Sequence, residues 1–441
     1  MMRPRVGCYA VYEAAEEGWE SLDQQFRQIC EDLTTVGMEV IEAPEPVCDD
    51  ESCKRVSAWF RDKDLDVLHP LIITWSFDHY SFLIQQENHV PVAVRSIPGI
   101  RTGSIVGCQQ LGCVLTDVEV EHKLFYGAPG SVDTAQTTAI YAKACAVKHR
   151  LQGARFAVVG PRTPGMTPVA VDELEIMRLF GATLMNVAES EFDAMVEDTD
   201  IAEAESHWRE IAAGAAQVIC SDEHAIASLR NYLALKQMIR QWYLSGVAVG
   251  AYPRCQGTAC LPIALLNEEG IAAGCEGDVN STVAMYILRL LTDKPVHFGE
   301  MLAVDETENT LVTSHCGAAA PSLADEKGYA LCPVRLAHSG VCIRFACQSG
   351  PVTYVNLVGR KGNYRMCVIE GNAIPTDMVF EGNPMKIKWN SPSKRIWDTV
   401  STYGFGSHWM AAYAHVAPVL AEFCRIVHIQ GVFPDQENQP Y

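Results

Sequence analysis

Short apolar runs alternate with amphipathic stretches through the first half of the chain. RVGCYAVY reads as a strand, GWESLDQQFRQICEDLTTVG as an amphipathic helix and MEVIEAP as a second strand. A helical stretch around SCKRVSAWFRDKD then precedes the apolar run VLHPLIITW and the strand PVAVRSIP. Strand–helix alternation predicts a parallel sheet with helices on both faces. Loops at the carboxyl ends of such strands carry function, which draws attention to residues 74–79 after LIIT. Trp75 there either caps the sheet or meets a substrate.

A connector, GIRTGSIVGCQQLG, leads into a second alternating block. RFAVVG, ATLMNVA, AQVICS and VAVGAYPR are its strand candidates, and VDELEIMRLFG, ESHWREIAAGA and DEHAIASLRNYLALKQMIRQWYLSG its helices. The loop GPRTPGM has glycines but neither a dinucleotide nor a Walker pattern, so it reads as a turn that places Arg162 near a cleft. After Pro295 the pattern changes to short strand candidates separated by Gly and Pro: TLVTSH, ALCPV, VCIRFA, VTYVNLVG, YRMCVIEGNAI and MKIKW. A closing helix is expected over HWMAAYAHVAPVLAEFCRIV, with His408 at its start. The fold expectation is therefore α/β: two doubly wound Rossmann-like domains (1–107 and 108–292), then a β-rich, barrel-like domain (293–441).

Net charge is −20 and no run of Lys or Arg exceeds a pair, which argues against nucleic acid or an anionic membrane as partner. No signal-peptide pattern or membrane-length apolar stretch stands out. The 17 cysteines are scattered without a CxxC pair; they read as reduced, buried thiols of a cytoplasmic protein.

Candidate chemistry concentrates between Gly274 and Gly317. Glu276 follows GIAAGC, Glu300 follows VHFG and His315 follows TLVTS, with an apolar helical segment between the two glutamates. Carboxylates and an imidazole on separate loops suit a divalent cation with room for substrate oxygens. Each residue alone also fits ordinary structural work: a solvated loop glutamate, a core histidine, a helix-end carboxylate. Asp278 is better placed than Glu276 to cap the helix that follows, so it reads as a supporting residue beyond the ligands.

The loop ITWSFDHY, the segment GPRTPGM with VDELEIMRLFG, the runs GIAAGCEGDV and DKPVHFGEML, the SHCG tetrapeptide and the closing GSHWMAAYAHV come in an order and spacing that resembles the L-fucose/L-arabinose isomerase-like proteins. These are metal-dependent aldose–ketose isomerases. The resemblance implies that Glu276, Glu300 and His408 hold one cation, Mn²⁺ or another divalent ion such as Mg²⁺. It implies a further ligand role for His315 in the arabinose branch, and for Trp75 a place in the sugar pocket of a neighbouring subunit, hence a homo-oligomer. It makes Glu276 and Glu300 the acid–base pair that moves a proton between C1 and C2 through an enediolate, with Glu276 as the base and Glu300 as ligand and second acid–base group. Glu300 departs from the aspartate usual in the fucose branch. AYPRCQG carries Arg254 where relatives show a Trp-Pro-Glu-like segment, which suits an anionic sugar or sugar acid. The alternatives are a lyase or other enediolate-forming enzyme on a sugar acid, or a non-catalytic sugar-binding relative.

Overall fold

The computed structural model describes residues 2–250, 252 and 257–435. The chain divides into two compact units, Met2–Arg150 and Leu151–Tyr441. The first holds strands β1 (Arg5–Val11), β2 (Glu39–Glu42), β3 (Val67–Ile72), β4 (Val92–Ser96) and β5 (His122–Tyr126). They form one sheet in the order β2-β1-β3-β4-β5, parallel throughout. β3 and β4 are buried along their whole length, which is why they read as unbroken apolar runs. The sheet extends past residue 107, because β5 pairs with β4 from His122 to Tyr126.

In the second unit, β6 (Arg155–Val159), β7 (Thr183–Val187), β8 (Gln217–Val218), β9 (Gly246–Val249) and β10 (Ala272–Cys275) follow in sequence. Four of them make a second parallel sheet in the order β10-β9-β6-β7. Chain direction across the sheet reverses between β6 and β9, the position where loops at the carboxyl ends part and leave a crevice. The exception is β8, read from AQVICS as part of this sheet. It is two exposed residues long and pairs with a strand of the β-rich part instead, since it has no apolar face to bury in the sheet core.

The β-rich part contains β11 (His297–Asp305), β12 (Thr310–Ser314), β13 (Ala330–Cys332), β14 (Cys342–Arg344), β15 (Gly350–Val358), β16 (Arg365–Ile374), β17 (Met385–Trp389), β18 (His408–Ala412) and β19 (Gln430–Val432). Seven strands run in the order β15-β18-β11-β12-β17-β16-β19, and β15 also pairs with β16, so the sheet is strongly curled. Pairing is antiparallel except where β19 joins β16. The β-rich part expected after Pro295 is a mixed β-rich sheet that curls back on itself through the β15–β16 pairing. A separate three-stranded sheet, β14-β13-β8, ties the two blocks of this unit together.

One expectation is corrected here. The closing helix does not begin at His408: His408–Ala412 is β18, and the helix is Ala417–Ile426. The Ala-rich segment has helical propensity, but β11 and β15 flank it with unpaired backbone groups, and tertiary pairing overrides propensity. A helix not read from the sequence, Ser393–Tyr403, lies between the last strand candidate, MKIKW, and β18.

Next to His408, Trp409 is buried and stacks on Tyr354 with ring centroids 4.9 Å apart and planes 9° from parallel. Its indole N–H donates to the Gly406 carbonyl at 3.1 Å. Trp409→Ala should destabilise this unit by about 3–5 kcal/mol, read as a lower urea midpoint; a loss under about 1 kcal/mol would show that the stack does not hold β18 in place.

Candidate active site

Glu276 leaves β10 in a left-handed backbone conformation, φ 59°, and Gly277 follows at φ 71°. The first is uncommon for a side-chain-bearing residue. The second requires glycine, because a Cβ there would sit 2.9 Å from the Arg162 Cα. The turn is held by backbone bonds from Thr163 N–H to the Glu276 carbonyl (3.3 Å) and from Gly277 N–H to the Val249 carbonyl (3.0 Å). Local strain of this kind persists where the surroundings fix it. Asp278 then caps the helix Val279–Thr292: its carboxylate accepts from the Ser281 N–H at 3.0 Å and the Ser281 hydroxyl at 2.7 Å.

The β-rich sheet brings up the other side chains. Glu300, in β11, lies in register with Ser314 of β12 and His408 of β18, and the β11–β12 pairing slips just beyond, between Met301 and Ala303. His315 is the first residue after β12. The Phe298 ring meets the His315 ring edge-on at 5.0 Å and the His408 ring at 4.7 Å, packing that fixes the orientation of both imidazoles.

His408 joins the two halves of the site. Its Nδ1–H donates to Asp278 Oδ2 at 2.8 Å, and its Nε2 faces Glu276 Oε2 at 3.0 Å. Burial would push this imidazole down, but hydrogen bonds to Asp278 and Glu276, and their charges, carry it up to about 10. Burial raises the Glu276 carboxyl, and the His408 hydrogen bond with the nearby imidazoles outweighs it, leaving Glu276 below the usual range. Glu300 goes the other way: burial, only partly opposed by His408 and reinforced by the Glu276 charge, holds it above the usual range. Burial pushes His315 down to about 4, so it is a neutral imidazole, and its Nδ1 is buried without a hydrogen-bond partner.

One ligand atom from each of Glu276, His315 and His408 lies within 4.8 Å of the others. Glu300 lines the same cleft but is not one of this trio. The donors fit a divalent cation: a carboxylate kept ionised, a neutral imidazole with an unpartnered buried nitrogen, and an imidazole whose far nitrogen is held by a carboxylate, as metal-binding histidines are. The cleft holds about 320 Å³, at the small end of ligand pockets and suited to a monosaccharide. Cys260, Cys275 and Cys316 also line it, as do Val334, Arg335, Leu336 and Phe380. No disulfide forms among the described cysteines.

The remaining sequence candidates lie elsewhere. Arg162 contributes its backbone to the Glu276 turn, and the residue is exposed. Arg254 lies outside the described residues. Trp75 belongs to the first unit, where its indole N–H donates to Gln110 at 3.1 Å and its ring meets Phe77 at 5.2 Å. The loops after β1 and β3 touch beside it, Glu13 N–H donating to the Thr74 hydroxyl at 2.9 Å. Sequence reasoning missed Arg335, a lone arginine in a turn with no periodic signal around it, and the three lining thiols. No helix is long and apolar enough to cross a membrane among the described residues.

No family model matches the chain. It is similar to curated proteins named sulfoquinovose isomerase, among them these three. That of Alkalicoccus urumqiensis is 25% identical over 359 residues, covering 78% of this chain and 80% of the relative. That of Clostridium sp. (strain MSTE9) is 26% identical over 318 residues (69% and 70%). That of Priestia megaterium is 25% identical over 374 residues (81% and 83%). The likeness supports the sugar-isomerase kind and not the narrower fucose/arabinose membership.

Two expected outcomes follow from the Asp278–His408–Glu276 chain. Asp278→Asn keeps a cap and an acceptor for Nδ1–H but removes the counter-charge, so it should cost about 3–5 kcal/mol in urea denaturation, and Asp278→Ala, which loses the cap as well, about 1 kcal/mol more; a loss under about 1 kcal/mol in Asp278→Asn would mean that the charge link to His408 contributes nothing. In chelator-treated protein, the raised His408 adds stability that is fully present below its ordinary pKa of about 6.5 and is lost as pH rises through about 10. The urea midpoint of the wild type should fall over that window, and that of His408→Gln should fall less.

Proposed function

We propose that this chain is an aldose–ketose isomerase acting on an anionic sugar, with a divalent cation held by Glu276, His315 and His408. The observation that carries the reading is the convergence of those three donors, with Glu276 and His315 lining one monosaccharide-sized cleft beside Glu300 and His408 buried against Glu276. The likeness to sulfoquinovose isomerases over about four-fifths of both lengths in two of the three cases supports the substrate class; sulfoquinovose is a hexose carrying a sulfonate. Kinship with the fucose/arabinose isomerase-like proteins is part of the reading, supported by the order of the segments bearing Glu276, Glu300, His315 and His408. One carboxylate with two imidazoles favours Mn²⁺ among the hard divalent ions.

When bound, such a cation supplies a Lewis acid for the two neighbouring sugar oxygens. The protein residues do the rest. Environments that push two carboxyl groups apart separate their roles. Glu276, one of the three donors, is suited to fixed negative charge. Glu300, which lines the cleft outside that trio, is the base: it takes the proton from C2 of the aldose and returns it to C1 while the hydroxyl proton on O2 is lost and O1 gains one. This exchanges the emphasis expected from sequence, where Glu276 is the likelier base. Asp278 keeps the His408 ring fixed through Nδ1, leaving Nε2 directed at the cleft side. The walls formed by Val334, Leu336 and Phe380 limit water around the reacting carbons.

Proton NMR of sulfoquinovose in D₂O with Mn²⁺-loaded protein tests this. The expected product is a ketose with one deuterium at C1 and no carbon lost. Glu300→Gln should lower kcat by about 10²–10⁴-fold while binding Mn²⁺ in calorimetry far better than Glu276→Gln does. Absence of both Mn²⁺ binding and ketose would overturn the reading, and carbon loss would make the enzyme a lyase.

A further inference from the structure

We infer that Arg335 receives the anionic group of the substrate and sets the preference for a charged sugar over a neutral one. The inference rests on the isomerase reading for its substrate and names the residue that reading leaves open. Arg335 lies in the turn between β13 and β14, and its side chain lines the cleft that Glu276, Glu300 and His315 line. Among the described lining residues it is the one permanent cation.

Its surroundings are those of a guanidinium without its counter-charge. The guanidinium carbon sits 4.9 Å from the centroid of the Phe380 ring, a cation–π contact that holds a planar group flat. Its Nε is buried and has no hydrogen-bond partner. The neighbouring Arg344 has an unpartnered Nε too, but its Nη2 donates to the Pro333 carbonyl at 2.8 Å and lies 3.6 Å from Glu381, whereas no carboxylate pairs with Arg335 among the described residues. A buried N–H left unmade costs free energy, and charged groups cost most. An oxyanion with two or three equivalent oxygens satisfies the fork bidentately, as a sulfonate or carboxylate does and a lone hydroxyl does not.

The charge balance points the same way. Two glutamates line this cleft in a chain of net charge −20, so an anionic sugar entering it meets repulsion unless a fixed cation stands opposite. Val334, Leu336 and Phe380 beside Arg335 give a neutral hydroxymethyl group no polar partner, which discriminates against the uncharged sugar.

The test compares wild type, Arg335→Gln and Arg335→Lys, each loaded with Mn²⁺, on sulfoquinovose and on glucose, with Mn²⁺ titration as the check that each variant has folded. In Arg335→Gln, the ratio of kcat/KM for sulfoquinovose to that for glucose should fall about 100-fold, the range of a charge-assisted hydrogen bond, mostly through KM; Arg335→Lys should recover part of it. Equal losses on both sugars would overturn the role of Arg335 and leave the isomerase reading standing. If wild type converts neither sugar, calorimetric binding of sulfoquinovose decides: binding lost in Arg335→Gln supports the anion subsite while the isomerase reading fails, and no binding to wild type overturns both.

Discussion

The second unit depends on a buried imidazole held between two carboxylates two residues apart. Glu276 and Asp278 flank Gly277, and the left-handed turn there sends one carboxylate to each nitrogen of His408. Through these contacts the end of a parallel strand, the start of a helix and the first residue of β18 share one set of positions. A second bond crosses the same region, Tyr364 O–H to Asn280 Oδ1 at 3.0 Å. Because each buried charge is compensated by the next, displacing one leaves another uncompensated, so the geometry is cooperative rather than a set of separable contacts.

The same arrangement makes two chemically identical side chains differ. Glu276 lies against an imidazolium and is stabilised as an anion; Glu300, from the opposite sheet, is buried with less compensation. Strand register does this, since Glu300 and His408 are paired residues of adjacent strands, while Glu276 reaches the same histidine from a loop. Asymmetry between two carboxyl groups in one cleft is what a proton relay needs, and here it arises from which fold element delivers each one.

Much of this was legible in the sequence. The parallel strands β1, β3, β4, β6 and β9 announce themselves as short apolar runs because both faces are buried. Glu276, Glu300 and His315 stood out because they follow such runs, and the resemblance added His408. What was not legible depends on contacts between distant segments. HWMAA is a strand because β11 and β15 flank it, and β8 leaves the sheet of its neighbours because β13 offers a partner. Arg335 gives no sequence signal, since its meaning comes from Phe380 and from the acidic groups across the cleft.

The cysteines of the cleft bear on which ions can settle there. Burial pushes the thiols of Cys275 and Cys316 up, with nearby negative charge, Glu276 included, adding to the effect in each, so both remain protonated at neutral pH. A protonated thiol is a poor ligand, because soft metals bind the thiolate. Neither thiol belongs to the group formed by Glu276, His315 and His408, and the acidity that would favour a hard dication on the Glu276 side keeps the sulfur beside it protonated until a metal itself displaces the proton.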